Sequence, residues 1–164
     1  MKTMSQKVQI RKATKKDLPV LLQLATELFA YHANGLHNKN YTPVKNAAAL
    51  RKKHYIEMLD KPKERAFFIA EINHAPIGMI IAAIEEIPPI YIEHKRGSIR
   101  EFYVREAYRK LGIGKKLMQT ATKWLRKKKL KTVALQCWYA NTPSRNAYEK
   151  MGFKAIHVKY EKNI

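Results

Sequence analysis

The stretch EFYVREAYRKLGIGKKLM, residues 101–118, sets two glycines, Gly112 and Gly114, one residue apart at the opening of an amphipathic helix. Inside a helix, glycine costs about 1 kcal/mol relative to alanine. The pair therefore needs a reason other than helix stability. SIREFYV (98–104) reads as a strand. From Gly112 to Lys128, Ile113, Leu117, Ala121, Trp124 and Leu125 recur on one helical face. A tight strand-to-helix turn explains such a pair. An anion cradle also explains it, because a helix N-terminus has unpaired N–H groups and a positive dipole end, and glycine lets a ligand approach the backbone. Arg109, Lys110, Lys115 and Lys116 supply charge. The P-loop pattern is absent, and the dinucleotide fingerprint fails because Leu117 stands where its third glycine belongs.

Around this unit the chain reads as one mixed α/β domain spanning residues 1–164, with no repeat or linker. Val8 and Ile10 alternate with polar residues as in a short strand. Leu18, Leu21, Leu22, Ala25, Leu28, Phe29 and His32 then share a helical face. Thr14 and Asp17 both suit an N-cap, and Pro19 favours Asp17. Residues 34–43 read as a loop. Asn46 to Leu59 reads as a helix with Leu50, His54, Tyr55, Met58 and Leu59 inward. Two strands follow around a turn at Asn73 and His74, ended by Pro88 and Pro89. Residues 87–97 read as a loop, either a solvated connection or an acceptor wall. TVALQCWYA (132–140) is expected to be a buried strand, Thr142 to Met151 a short helix, and FKAIHVKYEK (153–162) a last strand. The early strands are expected to be antiparallel, and the late β-α-β unit parallel.

Composition narrows the function classes. Thirty-three Lys and Arg against 13 Asp and Glu give a formal net charge of +20. That favours anionic ligands and argues mildly against polycationic ones. Glu85, Glu86, Glu93 and Glu101 lie close enough in sequence to form a local acidic pocket. The charge is spread along the chain, and RNP-like aromatics and a reading helix are lacking, so nucleic acid is the disfavoured partner. A single cysteine, Cys137, excludes an internal disulfide and suits a reducing cytoplasm. It reads as a small core residue. No run approaches the ~20 apolar residues of a membrane span. The histidines lack metal-ligand spacing, and no metal is expected.

Two motifs carry a resemblance. RKLGIG (109–114) is similar to the R/Q-x-x-G-x-G/A signature of the GNAT superfamily of acyl-CoA-dependent N-acetyltransferases. NTPSRNAYEKMGF (141–153) resembles that family's second signature, N-x-x-[SA]-x-x-x-Y-x-x-x-G-F. The two lie at the family's spacing, and VQIRKATKKDLPVLL and FFIAEINHAPIGMII also fit. The resemblance implies a mostly antiparallel mixed sheet with helices on both faces, splayed between the Ser98–Val104 and Thr132–Ala140 strands. Acetyl-CoA would lie in the gap. Its pantetheine arm would pair near Phe102, Tyr103 and Val104, with Asn141 on the other side. Its diphosphate would sit on the amides from Lys110 through Leu111, Gly112, Ile113 and Gly114 to Lys115, with Arg109 adding charge.

The chemistry so implied is direct transfer of an acetyl group to a primary amine of a small molecule or peptide. Proximity in a ternary complex supplies much of the acceleration, and an N–H near Val104 polarises the carbonyl. Tyr148 occupies the place of a tyrosine that protonates the departing thiolate and in some members only positions the cofactor; otherwise it is an aromatic packing the short helix. Glu101 is the candidate base, acting through water; otherwise it pairs with Arg100 or Arg105. Gln136 stands where relatives that acetylate protein N-termini can carry a glutamate, which argues against that acceptor. Tyr31, His32, His37, Asn40 and Tyr41 would wall the acceptor site, with His32 reading as a packed histidine. Many such domains form homodimers. The competing readings are a CoA-binding module without catalysis and a basic nucleic-acid-binding protein.

Overall fold

The computed structural model describes residues 7–35, 43–162 and 164. One five-stranded sheet runs in the order β1 (Val8–Lys12), β2 (Arg65–Ile72), β3 (Ala75–Glu86), β4 (Lys95–Val104), β5 (Val133–Leu135). The first four strands are antiparallel neighbours; β5 lies parallel to β4. The β2–β3 turn bears out the expected position: Asn73 and His74 both have positive φ, 49° and 64°, matching the twist of a two-residue hairpin.

Strand alternation gives the sheet two buried faces. One packs α3 (Ile113–Lys127) and α4 (Thr142–Lys150) on Phe68, Ile80, Ile99 and Phe102. The other packs α1 (Leu18–Gly35) and α2 (Ala47–Leu59) on Phe67, Ile69, Met79 and Ile81. In α3 the expected stripe is buried at Ile113, Leu117, Ala121 and Leu125, while Trp124 is half-buried. In α2, Tyr55 and Met58 are buried but Leu50 is 52% exposed and His54 is exposed, which corrects the inward face drawn for it. Phe29, placed inward on α1, is also an exposed residue.

Other expectations also change. The first helix is preceded by a short 3-10 turn, Lys15–Asp17, capped by Thr14 rather than Asp17. Asp17 instead accepts from the Thr14 backbone N–H at 2.8 Å and hydroxyl at 3.1 Å. β4 begins at Lys95, so residues 95–97 are strand rather than loop. β5 covers only Val133–Leu135, all half-buried, not 132–140. Residues 153–162 form no strand: Ile156, Val158 and Tyr160 are 84%, 54% and 90% exposed. Their alternation suits a strand, but no edge among the described residues pairs with it.

Candidate functional site

The two glycines serve different purposes. Gly112 caps α3 with φ +76°, a left-handed conformation, and a Cβ there would meet nothing within 4 Å. Its absent side chain serves the backbone turn and leaves open space in front of it. Gly114 serves packing: a Cβ would stand 3.1 Å from Cζ of Phe102, so the first turn of α3 lies on that ring. Lys110 is left-handed as well, with φ 63°. Among the described residues, no acceptor meets the backbone N–H groups of residues 110–115, and the helical ladder starts with Lys116 N–H to Gly112 O at 3.1 Å. Six successive donors are thus left for a ligand, at the positive end of a 15-residue helix. Leu111 is exposed and the Ile113 side chain is buried, so these two offer the cradle only their amides.

Beside the cradle, β4 presents a free edge. Its backbone is bulged at Arg100, where Ile81 faces Glu101 and Ala82 faces Ile99. β5 pairs only with Gly97, Ser98 and Ile99 and then leaves β4. Arg105 N–H donates to Ile77 O at 2.9 Å. Antiparallel alternation then points the backbone groups of Tyr103 and Glu101 at β3, and those of Phe102 and Val104 into the gap. Tyr103 therefore has no backbone group to offer there; its side chain packs on the α1/α2 face. Arg109 is also placed differently from expectation. Its Nε donates to Val104 O at 3.0 Å, and its guanidinium lies 4.6 Å from the Tyr31 ring centroid, bracing the strand end against α1.

Tyr148 projects from α4 beside Phe102, ring centroids 6.1 Å apart, with Phe153 edge-on at 6.0 Å. Burial, reinforced by Cys137, raises its phenol well above the usual tyrosine range, so it stays protonated. Its hydroxyl has no hydrogen-bond partner among the described residues. The aromatic packing and the free hydroxyl coexist. Asn141 is buried and caps α4: its Oδ1 accepts from Ser144 N–H at 3.2 Å. Cys137 is half-buried, its thiol pushed up by burial, which fits a packed residue rather than a nucleophile. Gln136 is exposed just past β5.

Glu101 lies on the opposite face of β4 from Phe102 and pairs with neither Arg100 nor Arg105. Its Oε2 accepts from the hydroxyl of Tyr55, a fully buried residue of α2. Desolvation raises the Glu101 carboxyl above its ordinary value, partly offset by the Tyr55 hydrogen bond and the Arg51 charge. Arg105 instead grips Glu27 of α1 through Nε and a terminal nitrogen at 2.9 and 2.7 Å. The acidic pocket does not form: Glu85 pairs with Arg96 and Glu86 with Lys95 across β3 and β4, and Glu93 accepts from Thr132. His32 is half-buried against Tyr31, and burial lowers its pKa. His37, Asn40 and Tyr41 lie outside the described residues.

Tyr55 and Arg51 were missed as site residues. A tyrosine on the inner face of a helix needs a partner for its hydroxyl, and an arginine four residues before it shares that face; those were the available signals. Among the described residues, no group of three His, Cys, Asp or Glu could hold a metal, and no helix is long and apolar enough to cross a membrane.

Comparison with known proteins finds acetyltransferases among the relatives. An N-alpha-acetyltransferase of Sulfurisphaera tokodaii is 34% identical over 112 residues, covering 63% of this chain and 65% of the relative. An uncharacterised N-acetyltransferase of Methanocaldococcus jannaschii is 29% identical over 149 residues, 91% of this chain and 62% of the relative. The chain thus spans a little under two thirds of the length of these relatives. Among solved structures, a predicted acetyltransferase from Clostridium acetobutylicum, crystallised with acetyl-CoA, superposes with a TM-score of 0.78 at 19% identity, covering 96% of both chains; this likeness is one of fold. The model of the acetyltransferase (GNAT) family matches residues 31–153, most of the chain and both motifs, and the chain belongs to that family.

Proposed function

We propose that this protein is an acetyl-CoA-dependent N-acetyltransferase that moves an acetyl group to a primary amine of a peptide or small molecule by direct transfer in a ternary complex. The observation that carries it is the run of unpaired amides at 110–115 beside the free Phe102–Val104 edge, with the unpartnered Tyr148 hydroxyl on α4. These groups fit the donor: the cradle takes a diphosphate, and the edge takes an extended amide-bearing arm as an added strand. Arg109 already holds Val104 O, so Phe102 and the Val104 N–H are left for that arm.

Bound acetyl-CoA supplies a thioester whose acyl carbon forms a bond to the amine nitrogen as its bond to sulfur breaks. Glu101, with its raised carboxyl pKa, is suited to take the amine's proton through water. Tyr148 is suited to give its proton to the departing thiolate from the other face of β4. The Val104 N–H is placed to polarise the carbonyl. Asn141 is the cap that fixes the start of α4, and so the height of Tyr148. A cytoplasmic setting, supported by the lone thiol of Cys137, and a homodimer, supported by the exposed alternating 156–160 segment, complete the reading.

Thermal shift with acetyl-CoA tests it first. Ligand at 100-fold its Kd adds about 2.7 kcal/mol of stability. Wild type and Tyr148→Phe should both be stabilised, Gly112→Glu should not, and thiol release with an amine panel should fall ~100-fold or more in Tyr148→Phe. No shift for wild type at millimolar acetyl-CoA overturns the reading. Binding with thiol release unchanged in Tyr148→Phe removes the acid role.

A further inference from the structure

One open groove lies between α1 and α2, lined by Leu22, Thr26, Ala48, Ala49, Arg51 and Lys52. Its wall is largely apolar, yet two cations line it, and neither forms an ion pair among the described residues. Three arginines of the described residues are held by carboxylates: Arg11 by Asp17 and Glu71, Arg96 by Glu85, and Arg105 by Glu27. Arg51 is steadied instead by neutral groups. It lies over the Phe29 ring at 4.0 Å and reaches Thr26 Oγ1 at 3.4 Å. An arginine held in place by an aromatic face and a hydroxyl keeps its planar donors available for a carboxylate.

The position of the groove links it to the reaction centre. Arg51 and Tyr55 are one helical turn apart on the same face of α2, ~6 Å along its axis. Tyr55 holds Glu101, and the Arg51 charge is felt by Glu101. The groove and the base are thus joined through one face of α2. Resting on the transferase reading above, we infer that the acceptor is an amine that carries a carboxylate close to the amino group, bound by Arg51 and Lys52, with an apolar portion against Leu22, Ala48 and Ala49. An acidic side chain near a peptide N-terminus and the α-carboxylate of a free amino acid share this chemistry.

The test is a set of matched acceptors assayed by thiol release from acetyl-CoA: peptides with Glu or Gln at the second position, the same peptide with Lys there, and free amino acids beside their amides. The expected result is a Glu/Gln ratio in kcat/KM of ten or more. It should fall toward one in Arg51→Gln and Lys52→Gln, chiefly through KM, and the double variant Arg51→Glu/Lys52→Glu should shift preference to the Lys peptide. A tenfold preference for free acids over their amides, without a peptide preference, assigns the groove to free amino acids. Turnover with every acid/neutral ratio near one, or a ratio that survives both single substitutions, overturns the acceptor assignment and leaves the transferase reading standing. Absence of thiol release with every acceptor overturns both.

Discussion

The hydroxyl of Tyr55 donates to Oε2 of Glu101, joining the middle of α2 to the strand that borders the gap. The bond favours the ionised carboxylate, against a larger effect of burial that favours the acid. Tyr55→Phe removes the first and leaves the second. The Glu101 pKa should rise further, and the acid limb of the kcat/KM profile should move to higher pH. The buried, charge-accepting bond is worth about 1.5–3 kcal/mol, so the melting temperature should drop at pH values where Glu101 is ionised. An unmoved acid limb would show that Glu101 is not the base.

Glu101→Gln separates chemistry from stability. Because the folded pKa of Glu101 is raised, the stability linked to its protonation is complete below the ordinary carboxylate value and is lost as pH rises through the folded value. The variant lacks this titration. Relative to wild type it should therefore gain melting temperature as pH increases from about 4.5, while kcat falls ~100-fold or more at neutral pH. Activity kept within a few-fold would remove Glu101 from the mechanism without touching the stability prediction.

At the other end of the sheet the sign reverses. Arg11 hydrogen-bonds Asp17 and Glu71 at 2.7 Å, and its guanidinium holds the Asp17 carboxyl down at about 2. The Thr14 N–H and hydroxyl act in the same direction. This stability is present above the unfolded value near 3.8 and is lost as pH falls through about 2. Asp17→Asn should lower the melting temperature at pH 6, with the deficit shrinking as pH falls through that window. A deficit independent of pH would mean that the cap geometry matters and the charge does not.

How much of this was legible in the residues depended on range. The Asn73–His74 turn and the α3 stripe are local matters, settled by which residues tolerate positive φ and by the helical period, and both stand where expected. The Thr14–Asp17 cap was a choice inside one four-residue motif, and the proline argument pointed to the wrong member. Glu101 was identifiable as the one carboxylate of the strand on which the family resemblance implies a base. Its partner lies 46 residues away, and no local pattern connects them. Arg109 shows the same limit: its charge suggested the cradle, but a strand-end carbonyl and the Tyr31 face, brought there by the fold, hold it elsewhere. In residues 153–162 alternation alone predicted a strand, but a strand also needs a neighbouring edge.

The glycine pair allows a comparison in which two accounts differ in sign. Helix propensity alone makes either Gly→Ala change favourable by about 1 kcal/mol. The structure separates them. Gly112 sits at φ +76°, where an L side chain costs roughly 1–2 kcal/mol even with nothing near its Cβ. Gly112→Ala should therefore lower the melting temperature of the ligand-free protein by about 2–4 °C per kcal/mol lost. Gly114 is inside the first turn of α3 with helical geometry, and its Cβ would press on Phe102 Cζ at 3.1 Å. The ring lies at the tip of a side chain, so Gly114→Ala should be near neutral in stability. The displaced Phe102 borders the gap and Tyr148; that variant should lose its effect elsewhere, as a smaller thermal shift with acetyl-CoA. If Gly112→Ala stabilises the free protein, the left-handed cap is not required.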